Sequence, residues 1–337
     1  MNLPKFPNRP KLGERARALF ADEHRDAQCV VQGTQGSGKT TFIATLDSYL
    51  TDISNMSDSN IKYYLEESGG SDDESIQGIK FAQIKLSEGL FPEKTPNRGA
   101  YIATAYLKFL ERWGEAHVTT PIIEFSGEMT EKILRQFGTK QYNINKIVTL
   151  TGDEQSLVDE HIFDSDAVIY LSPVTRLVTV DGPLGDESEP DTVINSTDLN
   201  MMRFIRAVLT YKKDHPESRP LRCVFIVFSK VDNLLKGLKT AGFDLETDEG
   251  MNKFLRQFFR NTYNILDFNR INFHAYPFWV WADKDDKGKI IDYSKNGSKL
   301  YHVTIDRNTN RPWYSEKHLE RLVRDIHDEL TKEPPKR

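Results

Sequence analysis

Mostly apolar stretches recur along this chain and alternate with segments of helical periodicity. The apolar stretches cover residues 28–32, 121–125, 167–171, 222–228 and 271–280, and the helical patterns cover 39–50, 199–213, 251–266 and 315–330. In the first helical pattern, Phe42, Ile43, Leu46 and Leu50 share one face. Apolar strands that alternate with helices are typical of a mostly parallel sheet covered on both faces. The pattern therefore predicts a three-layer α/β domain.

Polar segments interrupt this alternation and predict the boundaries of the domain. Residues 51–78 are acidic and rich in serine and glycine, a composition that predicts a mobile loop. We expect a single domain over 27–337 with insertions near 51–90, 179–198 and 283–312, preceded by an N-terminal extension, 1–26, with a short helix. Alternation near 299–305 predicts a small hairpin, and Ser315 is a candidate cap of the last helix.

A glycine-rich loop lies between the first apolar stretch and the first helix. Four residues separate Gly33 from Gly38, which is followed directly by Lys39 and Thr40. This is the G-x-x-x-x-G-K-[ST] pattern of a phosphate-binding loop, or P-loop. Its glycines permit positive φ, so that amide N–H groups can turn toward a polyphosphate. The predicted phosphate-binding residues are Gly33, Thr34, Gln35, Gly36, Ser37, Gly38, Lys39, Thr40 and Thr41.

The chemistry expected of this loop follows from its side chains and its position. Lys39 can reach the β- and γ-phosphates, and the Thr40 hydroxyl can coordinate Mg²⁺. The helix that begins here adds its positive N-terminal end to the anion site. The sequence therefore predicts a nucleotide-binding protein with Mg²⁺ as its cofactor.

Composition narrows the possible partners. The 337 residues carry a formal net charge of -5, which gives no overall attraction to nucleic acid or to anionic membranes. No apolar stretch is long enough to cross a bilayer, and the start of the chain lacks the apolar core of a signal peptide. The two cysteines, Cys29 and Cys223, fall in apolar stretches and are expected to be buried and reduced. We expect a cytoplasmic protein.

A second motif concerns the base of the nucleotide. The apolar stretch 224–228 is followed by Ser229, Lys230, Val231 and Asp232, which resemble the [NT]KxD base-recognition motif of GTPases. An Asp carboxylate at the end of a strand can accept two hydrogen bonds from guanine, while adenine offers no such pair of donors on that edge. The Lys230 stem can lie over the plane of the base. These residues predict guanine recognition.

A third motif lies between the other two, in TPIIEFSGEMTEKIL. GTPases of the translation-factor and Ras-like class carry hhhhDxxG at this point, where the Asp holds a Mg²⁺-bound water and the Gly amide meets the γ-phosphate. Here Glu124 replaces that Asp, and Gly127 matches the glycine. Glu128 occupies the position that often carries a water-orienting Gln. A carboxylate beside the γ-phosphate predicts slow intrinsic hydrolysis.

These three motifs in this order resemble those of a P-loop GTPase. Within that class the chain is most similar to the bacterial double-GTPase group of conflict and antiphage operons, on "GE" after the third motif and on EGLFPEKTP upstream. The resemblance covers roughly residues 27–282. It implies that Thr95 is the switch threonine that meets the γ-phosphate and Mg²⁺, with Thr104 as the competing candidate. The guanine-contacting loop after the last strand has its nearest match in FHAYP, 273–277.

The resemblance implies a Mg²⁺-dependent GTPase switch. Protein partners would recognise the segments around Thr95 and Glu128, which order with GTP and relax with GDP. Lys39, Thr95, Gly127 and Glu128 are the expected catalytic residues, and Thr40, Thr95 and Glu124 the expected metal ligands. Two alternatives remain open: an adenine-nucleotide ATPase or kinase in which SKVD is incidental, and a nucleotide-bound scaffold that does not hydrolyse.

Overall fold

Eleven strands and seven α-helices are present in the part of the chain that the computed structural model describes, which comprises residues 27–34, 36–66, 73–92, 100–111, 114–125, 158–179, 182–185, 192–232, 234–283, 291, 293, 302–306 and 311–331. The strands are β1 (Ala27–Gly33), β2 (Ile61–Glu66), β3 (Ala100–Glu111), β4 (Gly114–Phe125), β5 (Ala167–Pro173), β6 (Arg176–Thr179), β7 (Gly182–Gly185), β8 (Cys223–Ser229), β9 (Asn272–Phe278), β10 (Ile305–Asp306) and β11 (Arg311–Pro312). The helices are α1 (Lys39–Asn55), α2 (Asp73–Ser87), α3 (Thr192–Asp214), α4 (Leu235–Thr240), α5 (Asp248–Phe258), α6 (Arg260–Phe268) and α7 (Glu316–Leu330), and a π-helical turn covers Val158–Phe163.

The central sheet has seven strands in the order β2-β3-β4-β1-β5-β8-β9. The run β4-β1-β5-β8-β9 is parallel throughout, and β3 is antiparallel to both of its neighbours, β2 and β4. The two remaining pairs, β6 with β7 and β10 with β11, are short antiparallel ribbons. The prediction of a mostly parallel α/β sheet is confirmed.

Side chains of the central strands alternate between two buried clusters, one on each face of the sheet. Val30, Val168 and Val224 belong to the cluster that packs against α3, α5 and α6. Their neighbours, such as Val31 and Ile169, belong to the cluster that packs against α1, α2 and α7. Each central strand is apolar on both faces because both faces are covered, as parallel sheets require. The molecule therefore has three layers.

Chain order fixes where a ligand can bind. From β1 the chain moves to β4 on one side of β1, and later returns to β5 on the other side, so neighbours β1 and β5 mark the point where the strand order reverses. In open α/β sheets the crevice for a ligand lies at such a point, beyond the carboxyl ends of the strands. The P-loop leaves β1 at this end.

Two sequence-based predictions about secondary structure are wrong. The segment 51–78 is not a plain loop, because it contains the end of α1, strand β2 and the beginning of α2. Strand β2 is a six-residue edge strand whose pairing with β3 stabilises it despite its polar surroundings. The helical pattern at 251–266 is two helices, α5 and α6, since Phe259 leaves helical geometry and packs its buried ring 4.6 Å from that of Phe228.

Strand β3 is an element that the apolar pattern did not indicate. In its described portion Ala105, Leu107 and Phe109 are buried, while the intervening side chains are half-buried. This alternation is typical of a strand with one covered face. Pairing with β3 also extends β4 back to Gly114, beyond the predicted 121–125.

Candidate nucleotide-binding site

The predicted P-loop joins the end of β1 to the beginning of α1. Gly36 and Gly38 have φ of 72° and 84°, in the left-handed region that favours glycine. Gly38 is the N-cap residue of α1 and, as a glycine, makes no side-chain capping bond. Uncapped N–H groups at a helix N-terminus form an anion site together with the helix dipole. The loop therefore has the backbone conformation that polyphosphate binding needs.

Gly33 makes the closest backbone approach in the site. A Cβ atom at this position would lie 2.6 Å from the carbonyl oxygen of Leu171 on β5 and 2.7 Å from Oγ of Ser37. No side chain fits there, so glycine is required where β1 passes into the loop. The close approach fixes the loop against the neighbouring strand at the point where the strand order reverses.

The Lys39 ammonium closes the loop from inside. Its Nζ donates to the carbonyl oxygens of Gly33, at 2.7 Å, and Thr34, at 3.1 Å, and the residue is only 7% exposed. A buried ammonium so placed contributes its positive charge inside the loop. Phosphate oxygens are good acceptors for such a charged donor.

Thr34, Ser37, Thr40 and Thr41 carry the hydroxyl groups of the loop and of the first turn of α1. Oγ of Ser37 is buried and has no hydrogen-bond partner within the described residues. A buried hydroxyl without a partner is costly, and an anion at the loop could satisfy it. Thr40 and Thr41 are half-buried in the first turn of α1. The residues present thus fit a polyphosphate, and Thr40 is the described side chain that could hold its Mg²⁺.

The SKVD turn lies directly against the P-loop. Oγ of Ser229, the last residue of β8, donates to the carbonyl oxygen of Ser37 at 2.6 Å, and both residues are buried. Lys230 has φ of 63°, one of two non-glycine residues at positive φ in the described chain, and is exposed. Such strained conformations cluster at ligand sites. Asp232 is half-buried beyond the buried Val231.

The amide of Val174 adds a third strand to this arrangement, because it donates to the carbonyl oxygen of Ser229 at 2.9 Å. The carboxyl ends of β1, β5 and β8 are therefore joined at one end of the sheet. A single ligand that reaches from the P-loop toward Asp232 would contact both predicted motifs.

Several predicted site residues lie outside the described part of the chain, namely Gln35, Thr95, Gly127 and Glu128. The backbone of Glu124 is described: it lies near the end of β4 and pairs with Tyr101 of β3. Thr104, the competing switch threonine, lies within β3, where its backbone pairs with Pro121 and Glu66. The roles of all these residues stay predictions.

The predicted position of the base-contacting loop, 273–277, is wrong. Residues 273–277 form the interior of strand β9, which runs from Asn272 to Phe278. They pair with β8 along its length, from Val224 to Phe228, and so cannot form a loop. The loop that follows the last parallel strand begins at Trp279.

Sequence reasoning missed a buried polar group beside the P-loop. Gln32 on β1 is fully buried, and neither atom of its side-chain amide has a hydrogen-bond partner among the described residues. Ser172 on β5, also fully buried, carries a hydroxyl in the same state. The sequence signal that marks Gln32 is a polar residue between the apolar run 29–31 and the first glycine of the P-loop.

The cysteines behave as predicted from their apolar surroundings. Cys29 and Cys223 are fully buried, and neither forms a disulfide. Burial raises the pKa of both thiols. Neither thiol lies at the P-loop edge, since Cys29 is the third residue of β1 and Cys223 the first of β8.

No known protein family matches this chain, and no curated protein is significantly similar to it in sequence. Among solved structures it is similar to nucleolar GTP-binding protein 1 from Plasmodium falciparum, with 10% identity over 76% of this chain and 79% of that one, at a TM-score of 0.26. It is also similar to the signal recognition particle receptor SRb-GTP/SRX complex from Chaetomium thermophilum, with 11% identity over 79% of this chain and 96% of that one, at a TM-score of 0.31.

A third similar structure is the Ski7 GTPase-like domain from S. cerevisiae bound to GTP, with 10% identity, 95% of this chain and 53% of that one covered, and a TM-score of 0.37. At these TM-scores the likenesses carry no argument about this chain, and its fold class rests on its own strand order. Among the described helices, none combines the length and apolar composition that a bilayer crossing requires.

Proposed function

We propose that this chain binds a guanine nucleotide with Mg²⁺ and acts as a slow GTPase switch. The observation that carries the proposal is the hydrogen bond from Ser229 Oγ to the carbonyl oxygen of Ser37. It ties the residues suited to guanine to the loop suited to phosphate, so one nucleotide can contact both. The motif order supports GTP over ATP.

In this proposal each residue has a stated role. The ammonium of Lys39, now bonded to two loop carbonyls, turns to the β- and γ-phosphate oxygens. Asp232 accepts the guanine N1–H and N2–H₂, and Lys230 covers the base. The hydroxyl of Thr40 holds Mg²⁺, which neutralises charge on the polyphosphate when it is bound.

The switch itself rests on the sequence motifs. Thr95 and Glu124 complete the metal site, Gly127 meets the γ-phosphate, and Glu128 slows hydrolysis by repelling it. A protein partner distinguishes the GTP form from the GDP form. The resemblance to the bacterial double-GTPase group extends the proposal to antiphage defence.

Calorimetric titration tests the proposal. GTP, GDP and ATP are titrated with Mg²⁺ into the wild type, Lys39→Ala and Asp232→Ala. We expect the wild type to bind GTP and GDP more tightly than ATP, and Lys39→Ala to bind none of the three. In Asp232→Ala the ratio of GTP to ATP affinity should fall by about tenfold or more.

A matched control is Asp267→Ala, which removes an exposed aspartate on α6 near the opposite edge of the sheet. Its affinities should equal those of the wild type. Tighter binding of ATP, or wild-type selectivity in Asp232→Ala, would reject the guanine assignment. Undiminished binding by Lys39→Ala would reject the P-loop as the nucleotide site.

A further inference from the structure

Three potential metal ligands meet at the end of the sheet where β8 and β9 begin, opposite the end that carries the P-loop. Cys223 is the first residue of β8, His274 is the third residue of β9, and Glu329 lies in the last turn of α7. The Cys223 sulfur, an imidazole nitrogen of His274 and a carboxylate oxygen of Glu329 all lie within 4.8 Å of one another. These three elements are packed together here, so the side chains face one point.

The second ring nitrogen and the second carboxylate oxygen have partners of their own. Nε2 of His274 lies 3.2 Å from Oε1 of Glu329, while Nδ1 lies 3.6 Å from Oδ2 of Asp325. Nδ2 of Asn272 donates to Oε2 of Glu329 at 2.9 Å. The hydroxyl of Tyr276 donates to Oδ2 of Asp325 at 2.6 Å. The contacts with Asp325 and Asn272 orient the imidazole and the carboxylate from outside the cluster.

We propose that Cys223, His274 and Glu329 form a zinc site. Thiolate, imidazole and carboxylate are ligands of Zn²⁺, and the sulfur excludes Mg²⁺ and Ca²⁺, which take oxygen ligands. Zinc bonds of about 2.0–2.3 Å put neighbouring tetrahedral ligands roughly 3.3–3.7 Å apart. The imidazole nitrogen and the carboxylate oxygen, 3.2 Å apart, are close to this separation, and the sulfur, within 4.8 Å of the other ligand atoms, would move closer to them on binding.

The surroundings match those of a metal-binding histidine. A ligating imidazole keeps a carboxylate near its other nitrogen, and Asp325 takes that position here. The Cys223 side chain is buried, whereas His274 is 29% exposed, so an ion can approach past the imidazole. Water supplies the fourth ligand, and the Cys223 thiol releases its proton on binding.

The consequence is a clamp between the end of α7 and the sheet. Arg222, next to Cys223, already donates to the carbonyl oxygens of Glu329 and Leu330. Zinc would add a link among β8, β9 and α7 that is independent of the nucleotide site. An ion that binds only the folded chain raises its melting temperature.

A simpler arrangement competes with this one: a protonated His274 can pair with Asp325 and Glu329 and hold α7 without any metal. In that arrangement the Cys223 sulfur has no part. A test for ligation by the Cys223 sulfur therefore distinguishes the zinc site from the metal-free ion pairs.

Cobalt(II) titration of the full chain, after treatment with chelator, tests sulfur ligation. We expect the near-ultraviolet band of thiolate-to-cobalt charge transfer in the wild type and in Cys29→Ser, and its displacement by Zn²⁺. Cys223→Ser should lack the band. Absence of the band in the wild type, or its persistence in Cys223→Ser, would overturn the proposal and leave the ion-pair network.

Glu329→Gln and Asp325→Asn keep the test decisive where Cys223→Ser fails to fold. Zinc affinity is expected to fall at least tenfold in Glu329→Gln and roughly 10–100-fold in Asp325→Asn. The melting temperature of the wild type should rise with added Zn²⁺, and that of His274→Gln should not. Equal zinc affinity in the wild type, Glu329→Gln, Asp325→Asn and His274→Gln would also overturn the proposal.

Discussion

Gly33 ends β1 at the tightest point of the candidate site. A methyl group in Gly33→Ala would lie 2.6 Å from the Leu171 carbonyl oxygen, which belongs to a central strand and cannot move aside. The loop itself must therefore shift. We expect Gly33→Ala to reduce nucleotide affinity at least tenfold and to lower the melting temperature, as measured by calorimetric titration and thermal unfolding.

Gly78→Ala is the matched control for this substitution. Gly78 lies in α2 and is exposed, and a Cβ there would meet nothing within 4 Å. Alanine favours a helix over glycine by about 0.5–1 kcal/mol, so this variant should be slightly more stable and bind nucleotide normally. Normal binding by Gly33→Ala would show that the close approach to β5 is not required.

Ser229 is the second residue whose effect can be isolated. Its hydroxyl donates to the Ser37 carbonyl oxygen at 2.6 Å. Ser229→Ala removes one buried hydrogen bond, worth about 1 kcal/mol, between the two predicted motifs. We expect GTP affinity to fall about fivefold, while Ser87→Ala, whose hydroxyl donates to the Ile84 carbonyl oxygen of its own helix, leaves it unchanged. Equal GTP affinities in Ser229→Ala and the wild type would show that the hydrogen bond from Ser229 to the P-loop does not contribute to nucleotide binding.

Among the elements, α3 and α6 are joined by one buried carboxylate. Asp198 on α3 accepts from the backbone N–H groups of Asn261 and Thr262 at 3.0 and 2.9 Å, and from Nδ2 of Asn261 at 2.8 Å. It thus caps the N-terminus of α6 from another helix. Asp198→Ala leaves these donors unpaired, and we expect unfolding by urea to show a loss of about 2–3 kcal/mol.

Asp198→Asn keeps one acceptor oxygen and should lose less than Asp198→Ala. The control is Asp267→Ala, which removes an exposed carboxylate from the same helix and should change stability by less than about 0.5 kcal/mol. A full-sized loss in the control, or none in Asp198→Ala, would show that the cap does not hold α6.

The elements also show what the sequence pattern can predict. Strands β1, β5 and β8 can be predicted because parallel strands covered on both faces are apolar along most of their length. Strands β2 and β3 were missed, since partly covered strands alternate and β2 sits in an acidic segment. The predicted cap Ser315 does occupy the N-cap position of α7, yet its hydroxyl makes no capping bond and lies 3.4 Å from the Trp279 amide as acceptor.

The candidate site follows the same division. The P-loop and SKVD could be placed at one edge of the sheet because both follow parallel strands. The contact between Ser229 and Ser37 joins residues 192 positions apart, and local sequence carries no signal for it. The Cys223, His274 and Glu329 cluster was missed for the same reason, since metal-ligand spacing is visible only when the ligands are close in sequence.

For the whole molecule, stability should depend on pH through α7. His318 on α7 is 5% exposed and lies edge-to-face with Trp279, with 5.4 Å between the ring centroids. Burial lowers its pKa below the ordinary value of 6.5, although the charge of Glu246 acts in the opposite direction. As the pH falls, the His318 imidazole is therefore protonated near pH 6.5 in the unfolded chain but only at a lower pH in the folded chain.

The free energy of unfolding should then be fully retained above pH 6.5 and fall as the pH decreases from there toward the folded pKa. One group contributes at most about 1.4 kcal/mol per pH unit. We expect urea unfolding at pH 7.5 and 5.5 to show a smaller difference in His318→Gln than in the wild type. An unchanged difference in His318→Gln would mean that the pH dependence arises at other groups, not at the contact of α7 with Trp279.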